Sequence, residues 1–232
     1  MNKLAVFTEG YTEVAFVEKL IEEIAGKNNV QIEHTQIRGG STVPKSMTVI
    51  RAAKPVTGQR YYVLLVDCGN DELVKERIRE EHENLTKAGY SKLIGIRDVR
   101  PKFTHAEIPK LEAYLPKYIK TKLIPVTFIL AIMELEAWFL AESTHFSRID
   151  PAITVAAIKA TLGFDPSTDD MQQRLAPAND LNDCYSIGSK AYIKNQAKLT
   201  VDALDFAAVY LELRNRIDYL DRLISEIDTF LS

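Results

Sequence analysis

The chain has 232 residues, 46% of them apolar and 26% charged, with a formal net charge of −3 and a pI of about 5.9. This is the ordinary mix of a soluble globular protein. No run approaches the roughly 18 apolar residues of a membrane span, and the acidic balance gives no global attraction for nucleic acid, leaving only a local basic groove for that role. Cys68 and Cys184 lie too far apart in sequence to form a metal or redox motif. The start MNKLAVFTEG lacks a signal peptide's long apolar region, so a cytoplasmic address is expected.

In chain order, KLAVFTE (3–9) reads as a buried strand. Val14, Phe16, Val17, Leu20, Ile21 and Ile24 then follow helical spacing up to Gly26. VQIEHTQIR (30–38) alternates like a strand and meets the turn GGST. A helix is expected around 45–54. YYVLLVD (61–67) is the strongest strand, and its unbroken apolar run suits a central position covered on both faces. A charged helix ends at Gly89, KLIGIRD (92–98) is the next strand, HAEIPKLEAYLPKYIK a helix interrupted by its prolines, and PVTFILAI (125–132) the last strand. This alternation predicts an α/β fold of the Rossmann-like kind: a mainly parallel sheet of about four or five strands with helices on both faces.

Beyond MELEAWFLAE (133–142) the composition shifts to Pro, Asp, Asn and Ser, which read as short helices and loops. Leu204, Ala208, Leu211, Ile217, Leu220, Ile224, Ile227 and Leu231 then trace a helical stripe with a break near 211–217. The stripe packs on its own domain or forms a homodimer seam; it has too few heptads for a coiled coil. The expected division is therefore a domain over 1–142 and a helical C-terminal extension over 143–232.

Ligands of open α/β sheets bind beyond the carboxyl ends of the strands, and here those ends are acidic. The first strand leads into Glu9 and Glu13, the third into Asp67, Asp71 and Glu72, the fourth into Asp98 between Arg97 and Arg100, and the fifth into Glu134 and Glu136. Each acid has a local explanation. Glu13 suits the first helical turn behind Thr12 as N-cap, and Asp71 and Glu134 suit caps of their own helices. Together they form an anionic edge whose members repel unless a cation sits among them. Oxygen donors without Cys or clustered His select Mg²⁺ or Mn²⁺.

The pattern hhhhEGxTE on the first strand with hhhhDxxxD on the third resembles the TOPRIM domain of topoisomerases, primases and OLD-family nucleases. MELEAWFLAE and the later YSIGSK look closer still to small stand-alone bacterial TOPRIM-like proteins of unassigned function. The resemblance covers roughly residues 1–142. It implies that Glu9 is a metal ligand or general acid/base, that Glu13 is a second ligand, and that Asp67 is the first aspartate of an Asp-x-Asp pair. The second aspartate of that pair is Gly69 here, so Asp71 is expected to take its place, and Glu136 completes the expected metal set. The function implied is metal-dependent cleavage of DNA or RNA, in a bacterial anti-phage or anti-plasmid setting beside a separately encoded ATPase. The alternative is a TOPRIM-like interaction or regulatory module that has lost catalysis.

Phosphate contacts are expected from Gly10, Arg97 and Arg100, with ion pairing to Asp98 or Glu107 as the other reading of the arginines. Lys190, Lys194 and Lys198 recur at four-residue steps with Tyr185 and Tyr192 interleaved. On one helix they would line a phosphate-binding face, with Lys190 also a catalytic candidate, or form a solvated surface.

Overall fold

The structure is a computed structural model that describes residues 1–40, 43–55 and 57–232, with the side chain of Asp71 outside the description. Ser41 and Thr42 of the expected GGST turn therefore lie outside the described residues. Among the described residues, six strands form one mixed, largely parallel sheet: β1 (Asn2–Thr8), β2 (Val30–Arg38), β3 (Ser46–Arg51), β4 (Tyr61–Asp67), β5 (Lys92–Asp98) and β6 (Val126–Ala131). Their order is β3-β2-β4-β1-β5-β6. The α/β class expected from the strand–helix alternation is the class the chain adopts.

The helices are α1 (Tyr11–Ala25), α2 (Asp71–Lys87), α3 (Ile108–Tyr114), α4 (Glu136–Ala141), α5 (Phe146–Ile149), α6 (Val155–Leu162), α7 (Pro177–Ser186), α8 (Ala197–Ala203), α9 (Phe206–Leu211) and α10 (Asp218–Leu231). The last three make up a C-terminal helical extension, interrupted where the apolar stripe predicted a break. Among the described residues, no helix is long and apolar enough to cross a membrane. The chain divides into two compact units, Met1–Arg97 with Glu107–Leu130 and Ser225–Ser232, and Asp98–Ala106 with Ala131–Ile224.

In the first unit, β1 runs parallel to both β4 and β5. Its Leu4–Phe7 run is buried on both faces of the sheet, as suits a strand at a central position. The connection from β1 to β2 passes β4, whereas that from β4 to β5 passes β1. The ends of β1 and β4 therefore flank the point where strand order reverses, the usual ligand position in such sheets. α1 packs against β2 and β4, and α2 against β1. One sheet face, built from Ala5, Phe7, Ile37, Leu64 and Val66, is closed by Val74 and Ile78 of α2. Gly95 of β5 lets α2 approach, since a Cβ there would stand 2.7 Å from Ile78 Cδ1. The end of the chain also belongs to this unit: Phe230 meets the Tyr61 ring edge-on at 5.4 Å, and the Tyr61 hydroxyl donates to Leu231 O.

Residues 46–51, expected as helix, form β3 instead, antiparallel to β2. Thr48, Val49 and Ile50 carry branched Cβ atoms that favour a pleated strand, and all six residues are exposed at the sheet edge. Two expected caps also differ. Gly10, not Thr12, is the N-cap of α1, and Asn70, not Asp71, caps α2 through its side chain to Leu73 N at 3.2 Å.

In the second unit, α4 is entirely buried and packs on α7. Glu134 does not cap its own helix. Its Oε2 accepts from Ala178 N at 2.9 Å in the first turn of α7, where Pro177 opens the helix without needing a donor.

A candidate metal centre at the sheet edge

Three acids come together at the carboxyl end of the sheet. Glu9 is the first residue past β1, Glu13 is the third residue of α1, and Asp98 ends β5, whose preceding residues Lys92–Arg97 belong to the first unit. One carboxylate oxygen from each lies within 4.8 Å of the others. Glu13 and Asp98 are buried and Glu9 half-buried. Backbone donors hold two of the three: Glu13 Oε2 accepts from Gly10 N at 2.9 Å, and Asp98 Oδ1 accepts from Leu135 N at 3.0 Å. Three carboxylates this close repel one another unless a proton or cation intervenes. An all-oxygen donor set of this size fits a hard divalent ion such as Mg²⁺ or Mn²⁺.

Asp67 has different partners. Arg38 grips it with both terminal nitrogens, Nη1 to Oδ1 at 3.0 Å and Nη2 to Oδ2 at 2.9 Å. Gln36 Nε2 donates to Oδ2 and Gly69 N to Oδ1, each at 2.9 Å. Gln36 and Asp67 are register partners on the parallel strands β2 and β4, which is why these side chains meet. Gly69, the residue standing where the TOPRIM pattern has its second aspartate, has φ +90°, and a Cβ there would come within 2.9 Å of the Arg38 guanidinium. Two residues before Gln36, His34 is buried, and its Nε2 lacks a hydrogen-bond partner among the described residues. Burial, opposed by the nearby Asp67 carboxylate, holds the His34 pKa below its ordinary value.

The other expected site residues are dispersed. Asp71 opens α2, but its side chain lies outside the description. In the second unit, Glu136 is fully buried and accepts from the Tyr192 hydroxyl at 2.7 Å, with Lys194 Nζ 3.5 Å away; its Oε2 has no hydrogen-bond partner among the described residues. The three lysines do not share a helix. Lys190 lies between α7 and α8, 3.8 Å from Asp150; Lys194 opens a 3-10 turn; Lys198 sits in α8, paired with Asp202 at 2.7 Å. Tyr185 and Tyr192 are buried, with no face open for stacking. Arg97 is buried, and Arg100 donates to Leu175 O. Gly10 serves as helix cap and as donor to Glu13.

Asp98, expected at the acidic edge without a ligand role, is the third member of the cluster, and Gln36 and Arg38 are site residues that no sequence motif marks. The signal was the pairing of β2 with β4, which puts the alternating polar residues His34, Gln36 and Arg38 beside the end of the strongest strand. The fold is thus a parallel-sheet α/β fold carrying a buried acidic triad. No protein-family model, curated protein or solved structure matches the chain.

Proposed function

We propose that this chain is a TOPRIM-type nuclease that cleaves phosphodiester bonds with Mg²⁺ or Mn²⁺. The observation that carries the reading is the Glu9–Glu13–Asp98 triad beyond the carboxyl ends of parallel strands, with its ligand oxygens within 4.8 Å. When bound, a divalent ion there supplies an acidified water and offsets charge on phosphate oxygens. The chain's own part is to hold the ion and move a proton. Glu13 and Asp98, fixed by backbone donors, are the rigid ligands, and Glu9, the least buried of the three, is assigned proton transfer. The net charge of −3 gives little general pull on a polyanion, so nucleic acid is delivered with a partner, for which a separately encoded ATPase in anti-phage defence is the proposal.

A second reading, an interaction or regulatory module without catalysis, is favoured by the saturation of Asp67 by Arg38, Gln36 and Gly69. One experiment separates the two. Plasmid DNA and structured RNA are incubated with wild type and Glu9→Gln in Mn²⁺. The nuclease reading expects cleavage by wild type and at least a hundredfold loss in the variant. Equal cleavage by both proteins sinks the mechanism, and no cleavage by either favours the module.

A further inference from the structure

Resting on the metal reading above, we propose that Arg38 is a built-in cation that takes the place of a second divalent ion at Asp67, so that this sheet edge binds one ion and not two. Asp67 is already fully engaged by the protein's own donors. The carboxylate is nearly buried, and four donors reach it at 2.9–3.0 Å, two on each oxygen. Two of those bonds come from one planar guanidinium in the bidentate arrangement that matches a carboxylate best. To ligate a metal, Asp67 would have to give up a charge-assisted pair and leave the Gln36 and Gly69 donors behind.

The surroundings are shaped for the guanidinium. Arg38 Nη1 also donates to Ile37 O at 3.0 Å and Asp67 O at 3.3 Å, anchoring it to both neighbouring strands. The absent side chain of Gly69 leaves the space its group occupies, since any Cβ there would crowd Nη1 at 2.9 Å. A side chain at 69 and this guanidinium position are therefore in conflict. A fixed positive charge at the end of β4 accounts for both the buried carboxylate and the missing acid.

The test counts Mn²⁺ bound per chain near neutral pH, from the loss of the free-ion electron paramagnetic resonance signal, in wild type, Arg38→Met, Arg38→Lys and Asp67→Asn. The expected result is one ion in wild type, two in Arg38→Met, and one in both Arg38→Lys and Asp67→Asn. Two ions in wild type, or one in a folded Arg38→Met, overturns the inference and leaves the metal reading standing. None in wild type but one in Arg38→Met upholds the role of Arg38 and overturns the metal reading. None in either overturns both. If Arg38→Met does not fold, Asp67→Asn decides: an ion retained supports the inference, and an ion lost overturns it.

Discussion

Glu13 closes the first turn of α1 by accepting from Gly10 N at 2.9 Å, and the same side chain belongs to the acidic triad. Its two duties separate by substitution. Glu13→Gln keeps an oxygen for Gly10 N but removes the charge; Glu13→Ala removes both. Wild type should gain about 2.7 kcal/mol when Mn²⁺ is at a hundred times its Kd. Glu13→Gln should lose that gain while keeping most of its ion-free stability, and Glu13→Ala should lose about 1 kcal/mol more as the cap goes. Urea unfolding with and without Mn²⁺ measures both. An unchanged Mn²⁺ gain in Glu13→Gln removes the triad as the ion's site.

Burial of His145 gives the second unit a pH dependence whose sign follows from the buried ring. Its ring is fully buried, 4.1 Å from Phe146 and 5.9 Å from Tyr185, with Nδ1 against Glu142 O. Nδ1 therefore carries the proton and Nε2 is bare. Burial pulls the pKa from 6.5 down to about 4. Between those values the unfolded chain binds a proton that the folded chain refuses. The contribution is thus fully present above pH 6.5 and is lost as pH falls toward 4, amounting in all to on the order of 3 kcal/mol. His145→Asn, which keeps a donor near Nδ1 and cannot titrate, should flatten the difference between unfolding at pH 7 and pH 5. Parallel pH profiles for the two proteins would reject this assignment.

Gly69→Ala should be costly for a surface turn. A residue with a Cβ at φ +90° carries strain of about 1–3 kcal/mol, and the Arg38 guanidinium must move as well. The urea midpoint should drop accordingly, and the Arg38→Met background should recover part of the loss, because the crowding partner is gone. Additive losses would show that Arg38 is not what the glycine makes room for.

The Tyr192–Glu136 bond holds a buried charge. Tyr192→Phe removes a 2.7 Å donor from a fully buried carboxylate, at a cost of about 1.5–3 kcal/mol. Glu136→Gln lacks the charge, so the same tyrosine change made on that background should cost about 1 kcal/mol or less. A double-mutant cycle reads the coupling directly. Equal costs in both backgrounds would mean that the hydroxyl does not answer to the charge.

What could be read from sequence followed the range of the interactions concerned. β4 was legible because YYVLLVD is unbroken and apolar, and α1 because Phe16, Val17, Leu20 and Ile21 repeat at helical spacing. Both signals lie within one element. Glu9 and Glu13 were legible together because one helical turn separates them. Asp98 stood out as an acid at a strand end, but its nearness to Glu9 depends on β5 lying beside β1, a pairing that no local pattern encodes. Arg38 and Asp67 meet for the same kind of reason, through β2 beside β4. β3 was misread because SMTVIR is too short and too exposed to show a buried alternation. The lysine series failed because α7 ends at Ser186 and α8 begins only at Ala197, so that Lys190 and Lys194 lie outside both helices.

The central place of β1 also bears on how the chain folds. Its partners, β4 and β5, are made later, with α1, β2 and β3 between them. A newly made β1 therefore carries an apolar Leu4–Phe7 segment with both backbone edges open until Tyr61–Asp67 leaves the ribosome. Only β2 and β3 can pair early, as a local hairpin. Closure of the sheet waits on long-range contacts, which form slowly, and in that interval the exposed segment is open to aggregation. The acidic triad is completed only after β4 is made, because Asp98 arrives at the end of β5. Any ion bound by all three carboxylates can stabilise the finished sheet but cannot guide its first pairings.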